Sequence, residues 1–256
     1  MPKYIYNHKK DPVDDRDFKF HLHSLITPNV NLPVSVDLRR GTLPPVLDQS
    51  TLGSCTANAV SNSLRFLLKK KNILDYQPSR LFIYYFSRLI EGTPGEDSGC
   101  IIRDVMKEVA TYGACSEHLL PYDITQFKIK PNEQCQKAAL QHVKSFKYMS
   151  VNQDLTSLKN ALCQGYIITF GINVYDSFES DTVAQTGHVP MPNTHTEQKL
   201  GGHCINICGY SDVSRSFIIM NSWSSGWGDK GFCYLPYNYV LDSNLSSDFW
   251  VCENYV

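Results

Sequence analysis

The chain has 256 residues, enough for one large domain or two small lobes with a real core. Its 42% hydrophobic and 19% charged residues describe an ordinary globular protein and exclude a disordered or fibrous one. A formal net charge of −1 gives no electrostatic reason to expect nucleic acid or an anionic membrane as partner.

Residues 1–31 are polar, with few periodic apolar positions, and read as an arm or pro-segment laid on the surface. The start lacks the apolar stretch of a secretion signal, and no run approaches the roughly eighteen apolar residues of a membrane span. The expectation is an intracellular protein, of cytoplasm or virion, with a lysosome-like compartment as the alternative. The nine cysteines contain no C-x-x-C pair, which argues against a zinc ribbon or thioredoxin-type motif. An odd count suits reduced thiols, most of them small buried hydrophobes. No metal and no cofactor is expected.

Pro44-Pro45 and Gly53 punctuate the entry to the first helix, where Ala57, Val60, Leu64 and Leu67 or Leu68 recur at helical spacing before Lys69-Lys70-Lys71. A second helix follows Pro78-Ser79 through Leu81, Phe82, Tyr85 and Phe86. A third carries Ile102, Val105, Met106 and Val109 and stops near Gly113, and a fourth covers roughly 153–164 before Gly165. The second half changes character. Tyr166–Ile172, His203–Cys208, Phe217–Met220 and Phe232–Leu235 are short β-branched or aromatic runs bounded by glycine, serine or asparagine. The pattern is segregated α+β, helices first and strands second, with 176–202 as a long loop between.

Three segments carry chemistry. In Gln49-Ser-Thr-Leu-Gly-Ser-Cys55 a cysteine stands at a helix start, where free backbone N–H groups and the helix dipole stabilise a thiolate. In Gly201-Gly202-His203 two glycines let another backbone approach a histidine able to take the thiol proton and return it to a leaving amine. In Asn221-Ser-Trp223 an asparagine at a strand end can orient that histidine, and Trp223 can shield the bond from water. Each segment alone has a structural explanation: a buried cysteine, a core histidine, a packing turn. Their joint order and spacing decide, with His203 and Asn221 lying roughly 150 and 165 residues beyond Cys55.

On these residues the sequence resembles the papain-like cysteine peptidases from about Leu32 to Trp250. Leu32-Pro-Val-Ser-Val-Asp-Leu-Arg looks like the start of a mature papain-type domain. Ser98-Gly99-Cys100 and Pro121-Tyr122 look like its first-lobe landmarks. The wording of Asp-Ser-Gly…Ile-Arg-Asp and of the loop from Phe178 is closer to microbial and large-DNA-virus members than to lysosomal cathepsins. The resemblance implies a two-lobed α+β fold, with a helical lobe at about 45–150, an antiparallel β-sheet or barrel lobe at about 151–256, and the active-site cleft between them. It implies a peptidase acting on peptide or protein substrates, with Cys55 thiolate as nucleophile, His203 imidazolium as its partner and Asn221 as orienter. Gln49 would stand in the oxyanion hole. Gly99, Cys100, Gly202 and Trp223 would bind substrate. Apart from the resemblance, Tyr175, Phe178 and Met191 in the long loop are candidates for a pocket wall.

The pattern also departs from the family. Leu52-Gly53-Ser54-Cys55-Thr56 stands where Cys-Gly-Ser-Cys-Trp is common, and the lost cysteine's partner would fall near Asp97, so a disulfide beside the site is missing. A catalytically inactive or latent papain-fold protein with a binding role is the alternative reading. Residues 1–31 are either a pro-segment reaching across the cleft or an integral arm that is never removed.

Overall fold

The computed structural model describes residues 4–20, 32–72 and 75–255. Helix α1 (Cys55–Lys70) is buried around almost its whole circumference, from Cys55 to Leu64 without a break. A helix so placed must satisfy its polar side chains internally. Ser61 donates to Pro78 O, and Ser63 shares a hydrogen bond with Thr169 across the lobe boundary. Asn206 reaches from the opposite lobe to Ala59 O at 2.9 Å. The helix is therefore the common wall of both halves.

Against it pack α2 (Arg80–Ile90) and α3 (Ile102–Tyr112), which share the apolar cluster of Val60, Leu64, Leu81, Ile83, Val105 and Met106. Ser79 caps α2 by accepting the Phe82 N–H, as its place after Pro78 predicts. Gly113 ends α3 at φ 74°, with no room for a Cβ against the Ala139 carbonyl. A short α4 (Glu133–Ala139) completes the helical lobe.

The second lobe is a seven-stranded antiparallel sheet of order β2-β7-β3-β4-β5-β6, with β1 also paired to β4. Its strands are β1 (Ser35–Asp37), β2 (Lys147–Ser150), β3 (Ile168–Tyr175), β4 (Lys199–Ser211), β5 (Ser216–Met220), β6 (Phe232–Pro236) and β7 (Ser246–Glu253). The edges β2 and β6 do not pair with each other, so of the two forms expected the lobe takes the open sheet rather than the closed barrel. Helix α5 (Leu155–Cys163) packs on the sheet through Leu158, Ala161 and Leu162. Trp250, Cys252 and Tyr255, at the end of the chain, sit in the helical lobe's apolar cluster and tie the halves together.

The stretch 176–202 is not a plain loop. It holds a 3-10 turn (Asp176–Glu179), helix α6 (Asp181–Thr186) capped by Ser180, and the first residues of β4. Tyr175 and Phe178 belong to the core, Phe178 beneath Trp223 and Trp227, while Met191 is exposed. The helical turn folds the apolar surface of Tyr175 and Phe178 inward, whereas Met191 stays on the surface. The last helix, α7 (Tyr237–Leu241), links β6 to β7. Among the described residues no helix is long and apolar enough to cross a membrane.

Candidate active site

Cys55 is the first residue of α1, preceded by Ser54, whose side chain does not cap the helix. Instead Ser54 Oγ bonds the Tyr122 hydroxyl at 2.6 Å, and Asn58 Nδ2 donates to both Ser54 O and Oγ. Those bonds hold the chain open just before the cysteine, leaving the first N–H groups of the helix available to an anion.

His203 enters from the other lobe on β4, and Asn221 follows the last residue of β5. Asn206 pairs with Met220 across β4 and β5, so the ladder sets the two residues side by side. Asn221 Oδ1 lies 2.8 Å from His203 Nε2 and also accepts the Ser222 backbone N–H at 2.8 Å. That second bond decides the chemistry. A backbone N–H can only donate, so it fixes Oδ1 as the acceptor and places the imidazole hydrogen on Nε2. His203 Nδ1, buried and without a hydrogen-bond partner, then carries the free lone pair. Trp223 stacks over the imidazole with ring centroids 5.0 Å apart and excludes water from the pair.

Gln49 is fully buried and held on both sides. Its Oε1 accepts from Ser222 Oγ at 2.7 Å and its Nε2 donates to Leu52 O, while its backbone N–H bonds Ser222 O. With Oε1 occupied by a hydroxyl, Nε2 keeps a second hydrogen for another acceptor. Ser222 was not foreseen from the sequence; its place inside the Asn221–Trp223 run is the only cue.

Two further braces were missed. Tyr122 donates to Gln49 O at 2.9 Å, and the Arg80 guanidinium lies 3.6 Å over its ring while donating to Asp48 O, Asn58 Oδ1 and Glu117. Asp97 accepts the Gly53 N–H and the Tyr84 hydroxyl. This carboxylate joins the two segments that the absent disulfide would have linked. All nine cysteines are unpaired.

The arm crosses this site. Tyr4 stacks on Trp223, and Tyr6 sets its ring edge against His203 and donates to Glu179. Asn7 bridges Gly202 in parallel and donates to Asp97 O at 2.7 Å. A Cβ on Gly99, which sits at φ 67°, would lie 2.0 Å from Asn7 O. The His8 N–H donates to Gly202 O at 3.0 Å, and Lys9 bridges Ile101. Farther on, the Asp11 carboxylate accepts from the Arg103 N–H and Trp250 Nε1. The segment does not lie on the outer surface: residues 4–11 run between the two lobes along Trp223, Gly202 and Gly99. Cys100, beside Gly99, is itself fully buried.

Burial bears on the protonation of both groups. Burial pushes the Cys55 thiol up to about 11, although hydrogen bonds from the backbone of Cys204, Thr56 and Cys55 itself act the other way. Burial likewise holds His203 down at about 4, against the bond to Asn221. Burial thus works against the thiolate and the imidazolium alike, because desolvation penalises both charges.

Comparison with known proteins places this arrangement. The profile of the papain family cysteine proteases matches residues 32–249. An uncharacterized peptidase C1-like protein of Acanthamoeba polyphaga mimivirus is 42% identical over 230 residues, covering 85% of this chain and 73% of that protein. Peptidase 1 of Euroglyphus maynei is 25% identical over 228 residues, 83% of this chain and 64% of that protein. Among solved structures, xylellain, a cysteine protease from Xylella fastidiosa, superposes with a TM-score of 0.87 at 35% identity, covering 98% of this chain and 96% of its own. A digestive procathepsin L 3 of Tenebrio molitor shares the fold at a TM-score of 0.66 and 19% identity, over 88% and 71% of the two chains. The chain belongs to the papain family of cysteine proteases and is a cysteine peptidase.

Proposed function

We infer that the protein hydrolyses peptide bonds through a covalent acyl-enzyme on Cys55, and that the docked arm holds it latent. The observation carrying this reading is the fixed tautomer of His203, whose Nδ1 is left with a free lone pair while Asn221 holds Nε2. Cys55 Sγ gives its proton to Nδ1 and attacks the peptide carbonyl carbon. The carbonyl oxygen becomes an oxyanion, with Gln49 Nε2 and the Cys55 N–H as its donors, one such donor being worth about 3–4 kcal/mol of barrier. His203 then protonates the departing amine as the C–N bond breaks. Water, losing a proton to His203, attacks the thioester and frees the acid and Cys55.

The arm supports the latent reading, because it occupies Trp223, Gly202 and Gly99, the positions assigned to substrate. Moving the arm away rehydrates Cys55 and His203 and lets the pair ionise in the wet cleft. Residues 1–31 then act as a pro-segment and 32–256 as the peptidase domain.

The test uses the full chain with Tyr6→Ala and His8→Ala, two substitutions that loosen the arm, with and without Cys55→Ala. The loosened chain should label at one cysteine with a small alkylating reagent near pH 5.5 and digest an unfolded protein. Both activities should vanish with Cys55→Ala. Digestion that survives Cys55→Ala, or rapid labelling of Cys55 without any digestion, overturns the assignment.

A further inference from the structure

Arg80 opens α2 and is buried between the Tyr122 ring and the first turn of α1. Its guanidinium divides its donors between two tasks. Nε and Nη2 grip the Glu117 carboxylate as a fork, at 2.9 and 2.8 Å. Nη1 turns the other way, donating to Asp48 O at 2.9 Å and to Asn58 Oδ1 at 3.1 Å.

A guanidinium can only donate, and this sets the direction of the bonds beyond it. Asn58 presents Oδ1 to Arg80, so its Nδ2 faces Ser54, donating to Ser54 O at 2.9 Å and to Ser54 Oγ at 3.0 Å. At the far end Gln49 O can only accept, so the Tyr122 hydroxyl gives its hydrogen there, at 2.9 Å. The 2.6 Å bond between Ser54 Oγ and the Tyr122 oxygen then has Ser54 as its donor. The result is a one-way relay from Arg80 through Asn58, Ser54 and Tyr122 to Gln49 O. It closes into a ring because Arg80 also holds Asp48 O, one residue before Gln49. Gln49, Ser54 and Asn58 are fully buried, so solvent does not compete for these bonds.

The ring joins the two segments that carry the oxyanion donors. One brings the Gln49 amide, and the other the N–H of the Ser54–Cys55 peptide. Ser54 O accepts from the Asn58 backbone N–H at 3.0 Å as well as from Asn58 Nδ2. A carbonyl holding two donors is polarised, and the N–H of the same peptide becomes the stronger donor. We propose that Arg80 is a positioning residue for peptide-bond hydrolysis: it directs the relay, fixes the separation of the Gln49 amide from the Cys55 N–H, and strengthens the latter. This rests on the peptidase reading of the site. A lysine in its place keeps the charge but lacks the planar fork, and cannot serve Glu117, Asp48 O and Asn58 Oδ1 in these directions at once.

Arg80→Lys is the test, with two readouts. In the native chain, hydrogen exchange follows the Gln49 N–H, which bonds Ser222 O, and the Asn58 N–H. Both should lose protection about tenfold relative to the amides of β5. In the arm-loosened chain, kcat should fall about tenfold while KM changes less than about twofold. In a Gln49→Ala background the loss on adding Arg80→Lys should shrink to about threefold or less, because one of the two donors it positions is gone. A contact that merely stabilises the fold would cost the same factor in both backgrounds. Asn58→Ala, which interrupts the relay one step on, takes over both readouts if Arg80→Lys does not fold, with the same losses expected. Unchanged exchange at Gln49 and Asn58, a rise in KM that matches the fall in kcat, or a full loss persisting in Gln49→Ala overturns the proposal. An arm-loosened chain that cleaves no peptide at all overturns the peptidase reading instead, and the exchange rates still decide whether Arg80 orders the two segments.

Discussion

Tyr4 lies flat on Trp223, with ring centroids 3.8 Å apart and planes 2° from parallel, while the same indole covers the His203 imidazole. One side chain of the arm is thus stacked on the residue that shields the catalytic candidate, and the arm's hold and the site's dryness depend on a common surface.

The strength of that hold is measurable. A stacked aromatic pair contributes about 0.5–1.5 kcal/mol beyond its area, so Tyr4→Ala should speed Cys55 alkylation by roughly two- to tenfold. Tyr6→Phe removes the hydroxyl bond to Glu179, a charged acceptor, and should speed it by roughly ten- to a hundredfold. Intact mass after timed exposure to the reagent gives both rates. No change in either variant means these rings do not hold the arm.

The arm's response to pH should hide two opposed effects. Asp11, buried and close to Asp248, has its carboxyl raised from 3.8 to about 7, so docking takes up a proton and is favoured as pH falls between those values. Burial raises Asp248 as well, and adds to the same trend. His8 is held at about 4 against 6.5, so docking requires its neutral form and weakens as pH falls from 6.5 towards 4. In the native chain the two largely offset. Asp11→Asn leaves His8 dominant, and its Cys55 labelling, relative to the native chain, should rise roughly a hundredfold from pH 7 to pH 4.5. His8→Gln should show the opposite slope. Parallel slopes would show that these groups do not titrate with docking.

Tyr122 offers a test of the oxyanion donors without touching them. Its hydroxyl bonds Gln49 O and Ser54 Oγ, and so sets the spacing between the Gln49 amide and the Cys55 N–H. Tyr122→Phe in the arm-loosened chain should lower kcat about tenfold while KM changes less than twofold. Its Cys55 labelling should keep the pH profile of the Tyr122 form. A matching loss in KM, or a shifted profile, would point to general loosening instead.

Asp97 replaces a covalent tie by hydrogen bonds. Asp97→Ala removes the acceptor of both the Gly53 N–H and the Tyr84 O–H, and should cost about 2–3 kcal/mol, a fall in Tm of roughly 5–10 °C. Thermal unfolding followed by circular dichroism measures it. A fall below about 2 °C would mean the cleft wall is held elsewhere.

Much of the site was legible because its parts are local. Gly53-Ser54-Cys55 announces a helix start by its punctuation, Gly201-Gly202-His203 lies in the first part of β4, and Asn221-Ser-Trp223 follows the end of β5. Helices α1, α2 and α3 follow from apolar spacing and from Ser79 and Gly113 at their ends. Strands β1, β2 and β7 were not expected. β1 and β2 are only three and four residues long, too short for a period of two to show, and β7 owes its place to pairing with β2 and β3.

By itself the sequence determined the chemistry on offer: a cysteine at a helix N-terminus, a histidine after two glycines, an asparagine at a strand end, and a polar leading segment. The tertiary structure decided the states of those groups. Ser222 N–H orients the Asn221 amide and so selects the His203 tautomer, and the burial that opposes charge on Cys55 and His203 is set by segments brought together from across the chain. Hydrogen-bond direction and desolvation depend on what surrounds a group in three dimensions. Residue order reports only what that group is.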